Sequence, residues 1–352
     1  MVACAITSPE SHEFGDGTGG GGASSGDAAE AADPADDDDG LKLDVGDGTA
    51  GAGAGDEAGH DPCVDGEDGG EPGYEFSVIW IANSRQGTVS KIDTITATET
   101  ARYFTGPPID GLDPEVAYRD HDPSRTSVNL RGDVVVGNRG TYAPSSSFTK
   151  ITGDDEACPD RNGDGEIRTS QGPLDILPWG EDDCVEWNYA VESNNARAVA
   201  WDAGEQSCEG NQDAHVWVGY RAWNDAVHID LVDGETGEKI DGAVVTDPAF
   251  ANGGYGIYGG AADKDGNFWG VNTGLVFVDR QTFEWRLADG AGYGFALDQD
   301  GDPWGDWGSG RVGHTDAASG TLVDIYEGAQ GGYDRGIAID TEQQLWMVTN
   351  GF

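Results

Sequence analysis

The chain has 352 residues, 66 acidic side chains against 19 basic ones, a net charge of −47, and 57 glycines. A field of that sign repels nucleic acid and anionic membranes, which excludes both as polyanionic partners. No run is long and apolar enough to cross a bilayer, so membrane attachment would have to come through a lipid.

Residues 1–75 read "GTGGGGASSGDAAEAADPADDDDG" and then "GDGTAGAGAGDEAGHD", with roughly twenty acids against the single Lys42. Such a segment cannot bury enough apolar surface to offset its ordering entropy, which predicts a disordered, self-repelling linker. At its start, "MVAC" resembles the end of a bacterial lipoprotein signal peptide, where a short apolar and small-residue run meets the cysteine that takes the lipid. The resemblance implies lipidation at Cys4 and an extracytoplasmic place, in the cell envelope or secreted.

From residue 76 to residue 352 the chain repeats itself. "YGFALDQDGDPWGDWGSGRVGHTDAASGTLVDIY", Tyr293 to Tyr326, reads as four short strands separated by Gly-rich turns. A second-strand tryptophan recurs at Trp80, Trp217, Trp269, Trp304 and Trp346, with Val135 in the equivalent place. A third-strand aspartate recurs at Asp93, Asp233, Asp279 and Asp316, and an asparagine follows the second strand in "WIAN", "VVGN" and "MVTN". Helical periodicity is essentially absent. Four antiparallel strands, repeated, predict an all-β protein: a β-propeller in which stacked blades bury one another and the tryptophans form inter-blade core.

Units such as "GIAIDTEQQLWMVTNG" and "GFALDQDGDPWGDWGSGRVGHTD" resemble the repeats of NHL-type propellers, especially those of the virginiamycin B (streptogramin) lyase-like group. The resemblance implies six or seven blades. The first unit, 77–111, starts without an innermost strand; full units follow at about 124–193, 195–253, 254–292 and 293–332. The last, from Tyr333, stops after two strands, which predicts either a chain continuing past Phe352 or a dimer that completes the ring.

Three residues before the small residue of each first strand stand Arg125, Arg197, Tyr258, Tyr293 and Arg335. This position should converge at the funnel around the central axis. In the lyase-like group a histidine there serves as base beside a magnesium-binding acid. None of the six histidines (His12, His60, His121, His215, His228, His314) occupies it here. The ring of guanidinium and phenol groups instead suits a small anionic or carbohydrate ligand. The competing expectation is that each arginine only pairs with an aspartate of the next blade.

"CPDRNGDGEIRTSQG", 158–172, matches a calcium loop: Asp160, Asn162 and Asp164 alternate, Gly165 permits the sharp turn, Glu166 offers its carbonyl and Ile167 packs inward. Gln171 stands where a bidentate acid belongs. Asp175, or the run Glu181, Asp182, Asp183, is expected to supply that carboxylate within an insertion spanning about 154–186. A saturated oxygen cage would make the Ca2+ structural. With Cys4 lipidated, Cys63, Cys158, Cys184 and Cys208 allow three pairings; Cys158–Cys184, which brackets the loop, is preferred, leaving Cys63–Cys208.

The expectation is therefore an extracytoplasmic propeller acting as a binding or scaffold module for such a ligand or for a protein partner. The alternatives are a lyase- or lactonase-like enzyme, a carbon–oxygen lyase with an axial metal, and a calcium-dependent adhesion domain.

Overall fold

The computed structural model describes residues 2–6, 77–113, 116–140, 146–161, 163–202, 205–207, 210–212, 214–223, 226–251, 256–290, 292–308, 310–327 and 334–349. Its strands are β1 (Val2–Ile6), β2 (Val78–Asn83), β3 (Thr88–Asp93), β4 (Thr98–Phe104), β5 (Pro123–Val128), β6 (Val134–Asn138), β7 (Ser146–Ile151) and β8 (Val185–Val191). They continue as β9 (Ser193–Trp201), β10 (Glu205–Ser207), β11 (Gly210–Gln212), β12 (His215–Ala222), β13 (Val227–Asp233), β14 (Lys239–Val245), β15 (Gly259–Ala262) and β16 (Phe268–Val271). The last eight are β17 (Leu275–Val278), β18 (Trp285–Ala288), β19 (Phe295–Leu297), β20 (Pro303–Gly308), β21 (Arg311–Asp316), β22 (Thr321–Glu327), β23 (Asp334–Ile339) and β24 (Leu345–Thr349).

Apart from the β10–β11 hairpin, these strands form antiparallel sheets in chain order, each a propeller blade: β2–β4, β5–β8, β9 with β12–β14, β15–β18, β19–β22, and β23–β24. The first blade has three strands, and among the described residues none lies inside β2. The last blade takes β1 along the outer side of β24, with Cys4 in register with Met347. Residues 2–6, at the start of the segment 1–75, thus form a strand that pairs antiparallel with β24 of the last blade. Residues 7–76 lie outside the described residues, and Cys63 and Cys208 with their expected pairing do too.

Apolar cores sit between successive blades. Trp80, Val89 and Tyr103 pack with Val134, Val136 and Ile151; Trp217 and Ile229 pack with Phe268 and Val276; Val312 packs with Leu345 and Met347. Central strands such as "HVWVGYRA" are apolar on both faces because a neighbouring blade covers each. Register explains the repeat. Trp217, Trp269, Trp304 and Trp346 face Ala200, Ala261, Ala296 and Ala338 of the innermost strands, so each bulky indole sits opposite a small partner. Val135 faces Ser127 in the same way.

The recurrent third-strand aspartates close turns. Asp93, Asp233 and Asp279 each accept from the backbone N–H and hydroxyl of Thr96, Thr236 and Thr282, and Asp316 does so from Ser319. Asn138 binds the Thr105 carbonyl and the hydroxyls of Ser147 and Thr149, which ties the second blade to the end of the first.

Candidate functional site

The mouth of the propeller is built where the innermost strands begin. Arg125 lies in β5, Arg197 in β9, Tyr258 directly before β15 and Tyr293 shortly before β19. Arg197 is the extra residue of a bulge, since Ala196 pairs with Tyr220 while Ala198 pairs with Gly219. Arg335 is the extra residue of the equivalent bulge in β23, between Asp334 and Gly336. A bulge re-aims the side chain it carries. In β5 the extra residue is Ser124, between Pro123 and Arg125, so the register corrects the alignment there: Arg125 pairs with Gly137 and stands one place past the column. The Arg335 side chain lies outside what the structure describes.

The four described side chains meet. The Arg125 guanidinium lies over the Tyr293 ring and that of Arg197 over the Tyr258 ring, each 5.0 Å from the ring centre. The two rings are 5.1 Å apart, and Arg125 Nε donates to the Tyr258 carbonyl at 3.1 Å. Several cations elsewhere have a carboxylate: Arg102 has Glu99, Arg139 has Asp122, Arg280 has Asp202, Lys239 has Asp230; Arg286 and Arg311 bond backbone carbonyls instead. Among the described residues Arg125 and Arg197 have no carboxylate either. Arg197 is only 6% exposed, yet its Nε, like Arg125 Nη2, is buried without a hydrogen-bond partner. Burial holds the Arg197 guanidinium below its ordinary range; nearby Arg139 and Arg125 act the same way, and Tyr293 opposes them. It stays cationic at neutral pH, because an arginine starts so high.

Below this mouth is an axial cavity of about 170 Å³, walled by the innermost strands of five blades. Arg125, Tyr293, Thr126, Val199, Phe295 and Ile337 line it, with Gly259, Gly260, Gly294 and Gly336 between them; Arg197 and Tyr258 stand outside its lining. The described histidines have other surroundings. His121 is buried with Nε2 donating to the Pro107 carbonyl, His215 bonds Asp202 and Arg280, His228 stacks on Tyr220, and His314 stacks on Trp304.

The calcium-like loop is held from outside. Cys158 and Cys184 form the disulfide expected from their bracketing of it. Asp183, 1% exposed, accepts from Arg161 N at 3.1 Å and Arg168 N at 2.8 Å, so it grips both sides of the loop. Within the loop, Asp160 accepts from Gly163 N and Gly165 N, and Asp164 from Glu166 N and Arg168. Asp175 closes a neighbouring turn through its carbonyl to Gln171 N. Ile167, expected to pack inward, is 45% exposed, because the loop lies over the blade edge instead of against a helix. Asn162 lies outside the described residues. The nearby Asp182 is buried, which raises its carboxyl pKa although Ser170, Thr169 and Cys184 donate to it.

A second acidic group was not singled out in the sequence. Asp298, Asp302 and His314 bring ligand atoms within 4.8 Å of one another at the turn between β19 and β20. Their atoms are already engaged: Asp302 with His314 Nε2 and Ala317 N, Asp298 with Trp304 Nε1 and two backbone N–H groups. No spacing rule would have found them, since His314 arrives from the facing third strand.

No family model matches the chain, and no curated protein matches it. Among solved structures, a chain of Kuenenia stuttgartiensis hydrazine synthase is similar at a TM-score of 0.39 and 16% identity. That alignment covers 67% of this chain and 56% of that one.

Proposed function

We propose that this protein is a binding module that captures a small anion at the axial mouth of its propeller, on Arg125 and Arg197. The observation that carries the reading is the pair of guanidiniums without a carboxylate partner in a chain of net charge −47. Among the described residues Arg286 also lacks a carboxylate and leaves Nη1 unbonded, so what sets the mouth apart is that two such cations stand close enough to act on each other's charge. A buried cation with unsatisfied N–H groups is costly, and a bound carboxylate or phosphate would relieve both the charge and the donors.

The Cys158–Cys184 disulfide supports placing the module in an oxidising compartment outside the cytoplasm. A lipid at Cys4 would attach at β1, on the last blade itself, and a structural Ca2+ would stiffen the insertion loop. The repeat residues resemble those of NHL-type and streptogramin lyase-like propellers. The enzyme reading that this resemblance carries would need an axial metal held by inward acids or histidines, whereas the residues that line the cavity are arginine, tyrosine, threonine, glycine and apolar side chains.

Calorimetric titration with acetate and with inorganic phosphate, on the wild-type chain, Arg125→Gln and Arg197→Gln, tests the proposal. Saturable heat in the wild type that is lost in both variants is expected. Equal binding by all three proteins would overturn it.

A further inference from the structure

Resting on that reading of the mouth, we infer that the ligand is a hydroxylated carboxylate of sugar-acid size, with its carboxylate on the arginines and its hydroxyls in the axial cavity. An inorganic anion does not need the space. One water needs about 10–15 Å³ of such space, whereas the cavity that Arg125 lines offers about 170 Å³.

The wall decides the chemistry. Each innermost strand pairs on one side only, with the second strand of its own blade. Its other edge faces the axis and carries peptide N–H and C=O groups without ladder partners. Gly259, Gly260, Gly294 and Gly336 line the cavity with no side chain to cover those groups. A ligand there meets donors and acceptors alternating along several edges, together with the Thr126 hydroxyl. A hydroxyl both donates and accepts, so a polyol with several hydroxyls matches such a wall, whereas inorganic phosphate brings only one or two O–H groups and an aryl ring none. Phe295 and Ile337 offer apolar patches for the C–H face of a sugar ring.

Gly336 supplies the discriminating variant. A Cβ built there meets nothing within 4 Å, so Gly336→Leu fits the strand and projects into open space beside the cavity. The experiment is calorimetry on the full chain with glucuronate, glucose and acetate, comparing wild type, Gly336→Leu and Arg197→Gln. The inference expects glucuronate to bind at least tenfold tighter than acetate and glucose to give no measurable heat. It expects Gly336→Leu to erase the advantage of glucuronate while retaining acetate, and Arg197→Gln to lose both acids. Acetate binding as tightly as glucuronate would overturn the sugar-acid inference and leave the anion site standing. Glucose binding as tightly as glucuronate would overturn the role given to the arginines. No heat from either acid would overturn both readings.

Discussion

The indole Nε1 of Trp217 donates to the carbonyl of Gly266 at 2.9 Å, joining the second strand of one blade to the inner turn of the next. Trp80 makes the same bond to Gly132 at 3.1 Å. Trp304 and Trp346 instead bond an aspartate of their own blade, Asp298 and Asp340. Trp269, fully buried with its Nε1 unbonded among the described residues, does neither and lies under the Arg286 guanidinium; the other four have two roles. They join successive blades early in the chain and close a turn within the blade late in it.

That division predicts unequal costs. Trp217→Ala removes a fully buried side chain and should cost about 3 to 5 kcal/mol. Trp346, 40% exposed, should cost much less when truncated, on the order of 1 kcal/mol. Guanidinium denaturation of the two variants beside wild type checks this; equal shifts of the midpoint would contradict the division.

Much of this was legible because repetition turns one unit into several readings of the same position. The tryptophans and the third-strand aspartates were found by alignment of repeats, as were Arg197, Tyr258 and Tyr293; Arg125 was aligned one residue off, since Ser127 faces Val135. Alignment works there because Ala200, Ala261, Ala296 and Ala338 must be small opposite an indole. The bulges at Arg197 and Arg335 were not legible, since one extra residue in a strand leaves no compositional mark. Asp183 was named only as a spare ligand, yet it grips the loop backbone, which depends on the fold-back of 182–184 under the disulfide. The pairing of β1 with β24 joins opposite ends of the chain, and no local pattern announces it.

The first-to-second blade junction should be sensitive to pH. His121 is buried, its Nε2 donates to the Pro107 carbonyl at 2.5 Å, and its Nδ1 has no partner among the described residues. Burial lowers its pKa below 6.5. As pH falls the unfolded chain therefore takes up the proton first. The contribution is complete above 6.5 and is lost as pH drops through the folded value. Burial lowers the pKa of His228 too, which adds in the same direction. His121→Gln should reduce the loss of stability between about pH 7 and pH 5. Urea midpoints at the two pH values measure it, and an unchanged slope would remove His121 from the account. Gly106→Ala offers a second check, because its Cβ would stand 2.5 to 2.7 Å from three atoms of the His121 ring. That overpacking should cost about 1 to 3 kcal/mol.

Acid should open the outer turns. The carboxyls of Asp93, Asp279 and Asp316 are held below the ordinary value of 3.8 by N–H and hydroxyl donors of Thr96, Thr282 and Ser319. A depressed folded pKa gives stability that is present above 3.8 and is lost as pH falls through the lower folded values. Asp279→Asn keeps an acceptor and removes the charge. It should leave the fold intact and make stability less steep between about pH 4 and pH 2. A thermal melt series across that range tests the point.

The insertion loop should bind calcium with an affinity that depends on its disulfide. A carboxylate has about four acceptor sites, of which Asp160 gives two to backbone N–H groups, while calcium would compete with Arg168 for Asp164. Calcium would draw on these oxygens and on the Glu166 carbonyl. The loop's ends are held by Asp183, which stands beside Cys184, so the Cys158–Cys184 bond fixes the frame on which the ligands hang. Opening that bond frees a span of 26 residues and should cost about 3 to 4 kcal/mol of stability in the chain-entropy account. Titration should therefore show about one calcium per chain, lost in Asp164→Ala and weakened on the order of tenfold after reduction. Binding that survives Asp164→Ala would place the ion elsewhere, and affinity indifferent to reduction would separate the loop from its disulfide.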